Sequence, residues 1–179
     1  NKKALLRIFN ELKNKNIPVM LDLELPFYKK LFYNLRNNWR DFFTNKKLIK
    51  NFIKNYKNVY VCEYYPEGNY KEKVLSLLGL HYNLKSKYKI IRMMYHSLHM
   101  FNESILIREI KKGVKNYGNR FLLAYGTIAV GVGGNEPILS LDKLDRDLNL
   151  AKKYNVNEVI IFRLGGLNKE YLNIIKKYV

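Results

Sequence analysis

Residues 17–25 read IPVMLDLEL, a short apolar run that follows the polar KNKN of residues 13–16 and ends with Asp22 and Glu24 one residue apart. Its length and its bounding polar residues predict a β-strand. Side chains alternate along a strand, so Asp22 and Glu24 share one face while Leu21, Leu23 and Leu25 take the other. A buried-strand pattern that finishes in two acids fits a parallel sheet, where functional groups collect at the C-terminal ends of the strands.

The flanking segments carry the same message. Ala4 to Lys15 places Leu5, Leu6, Ile8, Phe9 and Leu12 at helical spacing, and helical patterns recur around Tyr28 to Asn38 and Lys46 to Tyr56. Further strands are predicted at NVYVCEYYP from Asn58, YKIIRMMYHSL from Tyr88, RFLLAYGTIAVG from Arg120 and EVIIFRLGG from Glu158. Helices are expected from Tyr70 to Leu78 with Gly79 as C-cap, and from Glu103 to Tyr117 stopped by Gly118. Two more start behind the N-caps Ser140 and Asn168.

Five apolar strands, each followed by a helix, predict an α/β fold with a parallel sheet and its helices outside. Two architectures follow: a TIM-barrel-like (β/α) chain, here an incomplete barrel, or an open doubly wound parallel sheet. Linkers are short, and one α/β domain over residues 1–179 is expected. The chain opens on Asn1 directly ahead of a helical pattern, so the expectation is a C-terminal part of a larger barrel. Five strands cannot close an eight-stranded barrel, which leaves further chain upstream, oligomeric completion or an open sheet.

Composition narrows the function classes. The chain has 179 residues, 33 basic against 15 acidic, and a formal net charge of +18. Such a charge invites nucleic acid as a partner. Yet 25 of the basic residues are lysine and 22 residues are asparagine, the joint bias of an AT-rich coding sequence, and the lysines are scattered. No apolar run is long enough to span a bilayer and no secretory signal pattern opens the chain, so a cytoplasmic location is the default expectation. The single cysteine, Cys62, cannot form an internal disulfide.

Polar residues recur at the predicted strand ends: Asp22 and Glu24, then Glu63 with Tyr64 and Tyr65, then Tyr95, His96, Ser97 and His99, then Tyr125 and Thr127, then Arg163. Two carboxylates held close in a low-dielectric interior repel, which raises the pKa of one of them. A protonated acid beside an ionised partner is the equipment of acid-catalysed glycosyl transfer.

On these residues the chain resembles the family 18 glycoside hydrolases, the chitinase-like enzymes. LDLEL is similar to the tail of their D-x-x-D-x-D-x-E motif at the fourth barrel strand. MMYH, Met93 to His96, is similar to their M-x-Y-D at strand six. Tyr125-Gly126 matches a Tyr-Gly at strand seven, and VIIFRLGG looks like strand eight. The resemblance covers essentially the whole chain as barrel strands four to eight. It implies that Glu24 protonates the glycosidic oxygen and that Asp22 stabilises a neighbouring acetamido group, which Tyr95 also holds. Glu63, Tyr64, His96, Tyr125 and Arg163 would then bind the sugar.

This chain departs from the family in lacking the motif's two upstream aspartates, Met20 standing at the second, and His96 replaces the family's acid. Three readings therefore stand: a diverged glycoside hydrolase, a sugar-binding barrel without catalysis, and a basic nucleic-acid-binding α/β domain. No cofactor and no metal are expected, since His96 and His99 have only His81 for company. GTIAVGVGGNEP, residues 126–137, lacks both G-x-G-x-x-G and the P-loop Lys-Ser/Thr. Neither a serine nor a cysteine triad is recognisable.

Overall fold

A computed structural model of the chain describes residues 2–23, 31–65, 68–82, 88–96, 101–130, 134 and 137–179, leaving aside the side chains of 31–42 and 69. The protein is α/β, and its strands run parallel. Contacts group the chain into two compact units, Asn1–Lys89 and Ile90–Val179.

The first unit runs α1 (Lys2–Leu12), β1 (Val19–Asp22), α2 (Leu31–Asn55), β2 (Val59–Tyr64) and α3 (Asn69–Leu78). β1 and β2 pair in parallel with Val19 beside Val59 and Asp22 beside Cys62. The two helical patterns read between Tyr28 and Tyr56 form one 25-residue helix, α2. No proline or glycine lies between Leu31 and Asn55, so nothing in the polar middle of that segment stops the hydrogen-bond ladder. α3 ends as expected at Gly79, whose φ of 76° lets its N–H reach the Leu75 and Ser76 carbonyls. Phe9 stacks on Phe52, fixing α1 against α2.

The second unit runs β3 (Lys89–Met93), α4 (Glu103–Tyr117), β4 (Phe121–Gly126), α5 (Leu141–Lys153), β5 (Val159–Phe162) and α6 (Lys169–Ile175). β4 pairs in parallel with β3 on one side and β5 on the other. Strand neighbours thus follow chain order within each unit, without the reversal that marks a switch point in a doubly wound sheet. The Ser140 hydroxyl accepts from Lys143 N, and the Asn168 carboxamide oxygen accepts from Tyr171 N at 3.0 Å. These are the two caps that the sequence announces.

The core of this unit lies between strands and helices. A Cβ on Gly113 of α4 would sit 2.2 Å from the Phe121 ring, so that helix approaches β4 as closely as a side chain allows. Phe121, Leu123 and Tyr125 therefore look into the strand–helix layer, because alternate residues share a face. Leu144 and Leu148 of α5 are buried in the same layer.

Candidate functional site

Register decides which strand-end residues can share a surface. Side-by-side residues of parallel strands point the same way. In the first unit Asp22 aligns with Cys62, so the next pair in phase is Leu23 with Glu63. Asp22 belongs to the face of Met20, which is 54% exposed, of Tyr60 and Tyr64, which are half-buried, and of Cys62 beside it, which is buried. Glu63 belongs to the opposite face, with Val59 and Val61, and is fully buried.

Glu63 is consequently held by the residues that follow α3. Its Oε1 accepts from Tyr82 N at 2.7 Å, and its Oε2 lies 3.1 Å from His81 Nε2. His81 is itself buried and lies 4.0 Å from Glu72. Tyr82 turns its hydroxyl to the Lys46 carbonyl of α2 and accepts the Tyr88 hydroxyl on its own carbonyl. Desolvation, aided by the charge of Glu63, drives the Tyr82 phenol well above its usual range. The structure thus engages Glu63 in a tie between β2 and the segment that follows α3, on the face opposite to Asp22.

Asp22 keeps the position the sequence assigns it, at the C-terminal end of β1 on the face turned from Glu63. Its side chain reaches solvent, yet partial burial still pushes its carboxyl above the usual aspartate value. Glu24, Ser97 and His99 lie outside the described residues.

In the second unit the same alternation separates Tyr95 from His96. Met94 N donates to Ala124 O, which continues the β3–β4 register past Met93. Tyr95 then falls on the face of Ala124 and Phe162, and its ring centroid is 6.2 Å from that of Phe162. His96 falls on the helix side with Tyr125, where both meet α5. His96 Nε2 is 3.5 Å from Asp147 Oδ2 and 3.1 Å from the Arg146 guanidinium, which also holds Asp147 Oδ1 at 2.8 Å. Phe101 closes the other flank of the imidazole edge-on at 5.2 Å.

Burial sets the charges of this cluster. Desolvation, then Arg146 and Lys143, lower the His96 pKa to about 4, so the imidazole is neutral at pH 7. Desolvation raises Asp147 to about 6 against the pull of Arg146, so it is ionised at neutral pH. The Tyr125 phenol is pushed up by burial and by the charge of Asp147. Tyr125 Oη and Asp147 Oδ2 have no hydrogen-bond partner among the described residues. This assembly ties α5 to the residues that follow β3, with His96 and Asp147 buried and Arg146 partly exposed.

Arg163 is exposed, and its Nη2 donates to the Val130 carbonyl at 2.6 Å, tying the end of β5 to the loop after β4. Of the residues singled out in the sequence, His96 and Tyr125 thus share a face and both lie near Asp147, while Tyr95 meets Phe162, a residue the sequence reading did not single out. Asp147, Arg146 and His81 were not anticipated. Asp147 had a signal: it lies three residues after Leu144 and four before Ala151, on the apolar stripe of α5, where a carboxylate demands a partner. Among the described residues, no three His, Cys, Asp or Glu side chains gather in a way that holds a metal, and no helix is long and apolar enough to cross a membrane.

No protein-family model matches the chain, and no curated protein is similar to it.

Proposed function

We propose that the protein acts on or binds a carbohydrate, as a glycoside hydrolase-like enzyme in which Glu24 is the general acid and Asp22 the stabilising carboxylate. The observation that carries this reading is the position of Asp22. It ends β1 on the open face, its carboxyl is raised by partial burial, and Tyr64 of the neighbouring strand lies on the same face. Carboxylates with aromatic side chains nearby suit a pyranose, whose C–H faces stack on rings while its hydroxyls seek acceptors. In the second unit, Tyr95 with Phe162 offers a surface of the same chemistry.

The division of labour follows from the chemistry. Glu24 donates a proton to the departing glycosidic oxygen. Asp22, ionised, orients an acetamido oxygen that attacks the anomeric carbon and balances the charge that develops there. This is the substrate-assisted route, which needs no enzyme nucleophile. Glu63, His96 and Tyr125 are given no role in this division, because their side chains are buried on the helix side of their strands.

A second reading, sugar binding without turnover, is favoured by Met20. That residue is exposed on Asp22's face, two positions before it, and supplies no charge to exchange with it. Turnover of chito-oligosaccharides and of aryl N-acetylglucosaminides separates the readings. Intact protein is expected to cleave them, and Glu24→Gln to lower kcat by about 10²–10⁴-fold. Binding with no cleavage by the intact protein selects the second reading, and equal rates for intact protein and variant remove Glu24 as the acid.

A further inference from the structure

At the opposite end of β1 and β2 the first unit carries a cleft of about 390 Å³, lined by Lys13, Asn14, Lys15, Asn16, Asn55, Tyr56 and Lys57. Among the described residues, three lysines, three asparagines and a tyrosine line it, and no acidic residue does. Glu11, the acid preceding it in sequence, is paired with Arg7 at 3.9 Å.

Its walls are preorganised. The segments leading into β1 and into β2 are laced together: the Tyr56 hydroxyl sits 2.8 Å from Lys15 O and 2.9 Å from Ile17 O, Asn58 Nδ2 donates to Asn16 Oδ1 at 3.2 Å, and Val19 N donates to Asn58 O at 2.8 Å. The Tyr56 ring is stacked on Phe52, centroids 4.8 Å apart, so it is engaged in the core. What the cleft offers a ligand is cationic charge and amide hydrogen bonds.

We propose that this cleft binds the phosphodiester backbone of a nucleic acid without reading its bases. Three features select a polymer over a single phosphate. Lys13, Lys15 and Lys57 are all exposed. Solvated lysines gain little from one anion, whereas a polyanion releases a condensed counterion at each contact. A net charge of +18 adds a long-range field that draws in any strand of phosphates. The amides can donate to the same phosphate oxygens, and the engaged Tyr56 ring gives no base a stacking platform.

The test is fluorescence anisotropy with a labelled single-stranded DNA of about 20 nucleotides, over roughly 0.05–0.3 M salt, with inorganic phosphate as competitor. The triple variant Lys13→Gln/Lys15→Gln/Lys57→Gln is compared with Lys3→Gln/Lys73→Gln/Lys115→Gln, which removes the same charge elsewhere. Loss of three phosphate contacts is expected to weaken binding about 100-fold near 0.1 M salt and to flatten the logarithmic salt slope by about 2. The control triple is expected to change either quantity far less. Equal losses in both triples would overturn the proposal, because net charge alone would then explain binding. So would intact protein that binds no DNA, or DNA displaced by phosphate at matched phosphate concentration. All six lysines are exposed, so folding, checked by circular dichroism, is not at issue.

Discussion

Glu63→Ala is expected to lower the unfolding free energy by about 2–5 kcal/mol, since a buried backbone donor and a buried imidazole lose their shared acceptor. The carboxylate is fully buried, accepts the Tyr82 N–H at 2.7 Å and lies 3.1 Å from His81 Nε2. Truncation leaves a backbone donor and an imidazole in the interior without this acceptor, and opens a cavity beneath the end of α3. Against a typical total of about 5–15 kcal/mol, such a loss brings the first unit close to unfolding at ambient temperature. Glu63→Gln keeps the shape and one acceptor, and is expected to cost less than half as much. Urea denaturation of the three proteins measures both differences. If Glu63 instead served a substrate, its removal would cost activity while leaving stability nearly unchanged.

The second large effect is a pair of opposite pH dependences hidden in the intact protein. Asp147 has a folded pKa of about 6 against an ordinary 3.8, so its contribution is present below 3.8 and is lost as pH rises through about 6. His96 has a folded pKa of about 4 against an ordinary 6.5, so its contribution is present above 6.5 and is lost as pH falls through about 4. Both side chains are buried, and each shift corresponds to roughly 3 kcal/mol. Between pH 4 and 6.5 the two terms oppose one another.

Single substitutions separate them. Asp147→Asn leaves the His96 term alone, so relative to intact protein the variant is expected to lose roughly 3 kcal/mol on acidification from about pH 7 to 4. His96→Gln leaves the Asp147 term alone and is expected to gain a similar amount over the same interval. Arg146, Lys143 and Tyr125 face the cluster in all three proteins. Parallel curves for all three proteins would show that the imidazole and the carboxylate do not titrate as the geometry dictates.

Much of the architecture was legible in the sequence because it rests on local chemistry. The alternation of strands and helices, the caps Ser140 and Asn168 and the glycine at the end of α3 are local signals, and each is where the sequence puts it. The length of α2 was misjudged, since a polar stretch without a breaker looks like a loop but costs a helix little. The site was legible only in part. That polar residues crowd the strand ends is a one-dimensional fact, whereas the face each one takes depends on register with the neighbouring strand. Glu63 aligns with Leu23 instead of Asp22, and His96 shares its face with Tyr125 instead of with Tyr95. One residue of phase separates a group that can meet a ligand from one that pins a helix. Asp147 was missed because a carboxylate within an amphipathic helix reads as surface until its position on the apolar stripe is counted.

The central claim is that Asp22, at the open end of β1, is the carboxylate that meets a carbohydrate. The most direct measurement is the ¹³C carboxyl titration of Asp22, one of only five aspartates in the chain, with and without a chito-oligosaccharide. The account predicts a midpoint above 3.8 in the free protein and a clear displacement of that midpoint on adding sugar. A midpoint at the ordinary value that sugar leaves unmoved would contradict it.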